Sequence, residues 1–171
     1  MSHNVQVDHN DPYGKGVGVM AAVLAVFLSF FTICAHRSHT ESIVTQNASN
    51  DQWAYYQAKR IRDYQLQVNM DLLDVIGASN PKATALISDY RIQRDKNSKN
   101  LESIRQTAEE KLHESELAQK KALLFDLAEG VLEIALVMSS LYFISRKKLF
   151  PVLGLIFAIS GTIVGIIGLF A

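Results

Sequence analysis

The sequence has little of three things, and each scarcity excludes something. One cysteine, Cys34, in 171 residues leaves no internal disulfide framework and no zinc site built from several thiolates. Three prolines and nine glycines exclude collagen-like chains and Pro/Gly-rich disorder. An excess of either charge is also missing, with 17 Lys and Arg against 17 Asp and Glu. Without a basic excess the chain cannot displace counterions from phosphate, so nucleic acid is not an expected partner. Strand-like alternation, a Gly-rich nucleotide loop and internal repeats are absent too.

The local scarcity of charge says more. Gly16 to Ala35 carry no charged side chain over 20 positions, and Leu149 to Ala171 carry none over 23. Ala122 to Ser145 carry only Asp126, Glu129 and Glu133. About 20 apolar residues at 1.5 Å rise match the ~30 Å hydrocarbon layer of a bilayer. The expected fold is therefore an all-α membrane protein with transmembrane helices at 16–35, 122–145 and 149–171. The first apolar run exceeds the ~7–15 residues of a signal peptide. Ile33-Cys34-Ala35 is also a poor cleavage site, so the run reads as an uncleaved anchor. A disordered cytoplasmic tail at 1–15, an extramembrane segment at 36–121 and a basic turn at 146–148 complete the plan. Arg146, Lys147 and Lys148 fill the only short loop, which places that turn in the cytoplasm and the long segment on the other side.

From Thr40 to Ile76 there is neither proline nor glycine. Val44, Asn47, Asp51, Ala54, Ala58, Ile61, Gln65, Val68, Leu72 and Val75 follow alternating steps of three and four, and seven of these ten are apolar. The pattern predicts a long amphipathic helix with a narrow, coiled-coil-like seam. Gly77 to Pro81 break it, with Asn80 as the next cap and Pro81 at the first helical position. A second helix is expected from Pro81 towards Lys121, its apolar set being Ala83, Leu101, Ile104, Ala108, Leu112 and Ala118. Its polar middle, Arg91 to Asn100, is expected to pack weakly. The two helices form a long antiparallel hairpin between the first and second spans. So thin a seam calls for other copies or a partner subunit.

Asp51-Gln52-Trp53-Ala54-Tyr55-Tyr56-Gln57-Ala58-Lys59 opens this arm, and the stretch resembles an uncharacterised family of small bacterial membrane proteins, a domain of unknown function. Glu133-Ile134-Ala135-Leu136, then Ser145-Arg146-Lys147-Lys148, an aromatic and a Gly-rich last helix are similar as well. Asp126 and Glu129 depart from that pattern. The resemblance implies this architecture and a bacterial membrane; together with the basic turn, the expected location is the bacterial inner membrane, with the arm periplasmic or otherwise extracytoplasmic. It implies no activity.

Three constellations are candidates for function. Tyr56, Arg60 and Tyr64 recur at helical spacing with Trp53 one turn before Tyr56, so Arg60 is expected between two rings, in a protein contact. Asp126, Glu129 and Glu133 share one helix face with Ser140. They read either as a proton or cation path or as interfacial acids paired with Lys120 or Lys121. Gly154, Ala158, Gly161, Gly165 and Gly168 form a small-residue stripe for close contact with the second span or another copy. His36 with His39, and His3 with His9, lack a third convergent ligand, so no metal or other cofactor is expected. No nucleophile–base arrangement occurs, and no enzyme is expected. The expected function is that of a non-enzymatic membrane protein embedded in lipid. It self-associates, or joins a larger membrane complex, through its arm and its Gly-rich last helix. The alternative is a small oligomeric proton or cation channel using Glu133.

Overall fold

A computed structural model of the protein describes residues 11–77 and 80–171. Four helices follow one another: α1 (Pro12–Ile76), α2 (Pro81–Lys99), α3 (Leu101–Ser145) and α4 (Leu149–Phe170). No strand occurs among the described residues, and three helices are long and apolar enough to cross a membrane. Residues 1–10 of the expected tail lie outside the described residues. Pro12 to Lys15, expected in that tail, are helical, because Asp11 caps the helix and Pro12 needs no amide partner at its first position. Residues 36–39, between the expected span and arm, are helical as well, since nothing there breaks the backbone. The chain divides into two compact units, Met1–Thr40 with Leu117–Ala171, and Glu41–Glu116.

In the first unit, the core comprises Leu24, Phe31 and Ala35 of α1, Phe125, Ala128, Leu132 and Ala135 of α3, and Ala158 of α4. The Phe31 and Phe125 rings stack at 6.2 Å. Half of these eight core residues are alanine, so the helices pack at short range. All five members of the small-residue stripe on α4 are buried. A methyl group at Gly165 would strike the Phe31 ring, and one at Gly154 would strike Ser139 Oγ and come within 2.9 Å of the Ala135 carbonyl oxygen. At Gly161 it would sit 3.2 Å from the Ala128 carbonyl oxygen. The stripe therefore faces α3 and Phe31 of the same chain. Large side chains such as Val26, Ile33, Val137, Ile156 and Ile163 point outward instead.

The second unit differs from the sequence expectation in one respect that matters. All ten positions of the expected seam, Val44 to Val75, are exposed. The inward face of α1 is built from Ser42, Ser49, Asp63, Leu66 and Met70 instead. Ser49 Oγ donates to the Ala108 carbonyl at 2.8 Å, with both residues buried, and Ser115 Oγ donates to the Ser42 carbonyl at 2.9 Å. Small side chains that bond the opposite backbone bring the helices closer than valine or leucine could. Polar contacts continue the line. Arg94 Nε donates to Asp63 Oδ1 at 3.1 Å and its guanidinium also bonds Gln67, while Asn97 Nδ2 donates to the Lys59 carbonyl at 2.8 Å. The Arg91–Asn100 stretch is thus held by hydrogen bonds rather than packing weakly. Asn100 marks a short break, so the expected second helix is divided into α2 and α3.

A matched glycine series tests the packing of the first unit. Gly154→Ala and Gly165→Ala should each destabilise by about 1–3 kcal/mol, the usual range for overpacking. Gly130→Ala meets nothing within 4 Å and should be neutral or stabilise by about 0.5–1 kcal/mol through helix propensity. Thermal unfolding in detergent, followed by circular dichroism, checks the order.

Candidate functional site

The three acids on α3 have different surroundings. His39 Nε2 donates to Asp126 Oδ2 at 2.8 Å, and Thr32 Oγ1 lies 2.8 Å from Glu129 Oε1. Asp126 thus pairs with a histidine of α1, and neither Lys120 nor Lys121 bonds it, because five or six residues of helix turn those lysines to another face. Glu133 is exposed and makes no hydrogen bond among the described residues. Its level is fixed by its neighbours: Leu132 and Ala128 lie against Gly161, and Ala135 and Ser139 lie against Gly154. Glu133 therefore sits opposite the middle of α4, on the outside of the three helices. Among the described residues no path lined by all three acids runs between the helices, since Phe31, Phe125 and Leu132 fill that space.

At the other end of this unit lies a cluster that sequence reasoning missed. Asp11 Oδ1 accepts the Tyr13 and Gly14 amides at 3.1 and 3.0 Å, while Oδ2 accepts Tyr142 Oη at 2.9 Å and Arg146 at 3.0 Å. The Tyr13 and Tyr142 rings meet at 5.1 Å, and Lys148 Nζ lies 5.2 Å from the Tyr13 centroid. Arg146 ends α3 at φ 55°, a left-handed conformation usually left to glycine and costing a larger residue about 1–2 kcal/mol. Its amide bonds the Tyr142 carbonyl at 2.8 Å and its guanidinium bonds Asp11, which together hold it there. The start of α1 and the basic turn thus share one end of the unit. The Gly14 amide first, then the Tyr142 hydroxyl and the Arg146 charge, hold the Asp11 carboxyl below its usual range. The Asp-Pro dipeptide was the available signal, as a cap followed by proline.

In the second unit, Trp53 and Tyr56 meet edge-to-face at 5.7 Å, and Arg60 lies 6.0 Å from the Tyr56 centroid with a 3.4 Å bond to its hydroxyl. Arg60 rests on this one ring. Tyr64, its other expected partner, is exposed, and the Arg60 guanidinium lies over Tyr56 instead. Lys59 lies over Tyr55 at 5.3 Å. Trp53, Gln52 and Tyr56 are half-buried, whereas Asp51, Tyr55 and Gln57 are exposed. Lys59, Arg62, Lys96, Gln93, Asn97 and Asn100 also line a shallow depression of about 320 Å³. Among the described residues no group of three or more His, Cys, Asp or Glu side chains could hold a metal ion.

These features define an all-helical protein with three helices able to span a membrane. Within that class, the chain belongs to the DUF4337 family, a domain of unknown function whose family model matches residues 14–171. No curated protein and no solved structure matches the chain.

The Asp11 cluster makes a pH-dependent prediction. A carboxyl whose folded-state pKa is lowered contributes fully above its unfolded value, near ~3.9, and loses that contribution as pH falls through the folded value. Asp11→Asn keeps an oxygen for the cap but loses the charge facing Arg146. It should lower the thermal midpoint at pH 7, with the difference shrinking as pH falls below the unfolded value. A difference that stays constant from pH 7 to pH 3 would contradict this role.

Proposed function

We propose that this protein is a non-enzymatic component of the bacterial cytoplasmic membrane whose task is association through its helical arm. Three membrane helices anchor it. The basic turn Arg146-Lys147-Lys148 lies in the cytoplasm, and the arm extends on the periplasmic side as an antiparallel hairpin. The opposed chain order of the Ser42–Ser115, Ser49–Ala108 and Asp63–Arg94 contacts supports the hairpin. The positive-inside rule supports the orientation.

One observation carries the reading. Nine large apolar side chains of α1 between Ile43 and Ile76 are 45–83% exposed in the arm. Their combined area is on the order of 1,000 Å², whereas the largest apolar patch on a typical monomer is ~300–600 Å². Such a surface in water marks a partner's seat. The glycine stripe of α4 is already used inside the chain, which leaves the arm as the associating surface.

The channel reading has less support, because Asp126 and Glu129 are partnered by His39 and Thr32 and the interior is filled. Gently solubilised protein should run as an assembly larger than the 19.0 kDa chain. Proton or cation flux into liposomes should stay at background, unchanged by Glu133→Gln. A strictly monomeric protein without partners would remove the association reading, and Glu133-dependent flux would restore the channel.

A further inference from the structure

The exposed face of the arm is regular enough to specify its occupant. Resting on the association reading above, we propose that a second copy of this chain covers it. The two arms form a parallel, in-register, two-stranded coiled coil over residues 43–76.

The heptad frame has no skip. Val44, Asp51, Ala58, Gln65 and Leu72 take position a, and Asn47, Ala54, Ile61, Val68 and Val75 take position d, all ten exposed. On the opposite side of the same helix, position f holds Ser49, Tyr56, Asp63 and Met70, all buried or half-buried. α1 therefore carries two opposed faces in the arm, of which its own chain occupies one. A partner for the other must present an equally long apolar repeat of the same period. The chain's own seam meets that requirement, and its exposed apolar area matches the ~800 Å² per partner of a stable interface.

The flanking positions are self-complementary. In a parallel pair each g residue meets the e residue of the next heptad. Here Ile43 meets Ala48, Asn50 meets Tyr55, Gln57 meets Arg62, Tyr64 meets Asn69 and Asp71 meets Ile76. No like charges meet along either flank. Parallel order follows from α1 being one helix from Pro12 to Ile76. Copies inserted with the same topology run it in the same direction. The Asn47 and Gln65 layers pair polar side chains at some cost in stability, and the Asp51 layer is the least favourable, placing two carboxylates face to face. That layer gives the arrangement a signature of its own.

The test uses the full chain in mild detergent with Cys34→Ala, which removes the only native thiol. Ile61→Cys, at d, should form an interchain disulfide on mild oxidation, because d-layer Cα atoms fall within the ~4.4–6.8 Å that a disulfide spans. Asp74→Cys, at the exposed c position, should not. Ile61→Glu combined with Val68→Glu should weaken the dimer by about 100-fold or more, with helix content unchanged because both side chains are exposed in the single chain. Asp51→Asn should tighten it by about two- to five-fold. A dimer that survives the double Glu variant, or that cross-links equally at Asp74→Cys, would overturn the proposal. A monomer held by a different protein and released by Ile61→Glu would overturn self-pairing while leaving the association reading intact. A monomer with no seam-dependent partner would overturn both.

Discussion

The structure depends on close helix approach at small residues. Ala128 and Ala135 face α4 across Gly161 and Gly154, and Phe31 fits only because Gly165 has no side chain. In the second unit Ser49 reaches the Ala108 backbone, and Ser115 reaches that of Ser42. Where backbones come this near, no room remains for valine, isoleucine or leucine. Most large aliphatic side chains are turned outward in both units, while Leu24, Leu132, Leu66 and Ile104 fill the space between these close contacts.

In the first unit the consequence suits a bilayer. Lipid tails are as apolar as leucine, so burying large aliphatics between membrane helices brings little advantage, and tight van der Waals contact dominates. Val26, Ile33, Ile156 and Ile163 are exposed on the outside, as a lipid-facing surface would require. In the second unit the same inversion leaves an apolar face exposed, and in water such a face costs free energy until something covers it. That asymmetry makes the arm the candidate site of association. The Asp11 cluster has a different task, fastening the start of α1 to the turn after α3.

Much of this was legible in the sequence, with the reason traceable to particular residues. The three helices able to span a membrane followed from missing charge, because hydrocarbon offers an unpaired ion no hydrogen-bonding partner. Gly77, Asn80 and Pro81 gave the break, and Asn80 caps Lys82 as its side chain allows. The direction in which α1 faces its partner helices was not legible. Ranking positions by apolarity selects Val44, Ile61 and Val68 as core, whereas contact distance selects Ser49, and a single sequence carries no distance. Thr32 and His39 were equally hidden as partners of the acids, since the pairing joins residues 97 and 87 positions apart.

The inward orientation of the small face of α1 is the claim on which the rest stands, and intramolecular disulfide trapping tests it most directly. In a Cys34→Ala background, Ser49→Cys with Ala108→Cys should close a disulfide within one chain. Asp51→Cys with Ala108→Cys, which starts from the outward seam, should not. Closure from position 51 and none from position 49 would mean that the apolar seam faces inward, and the account would be wrong.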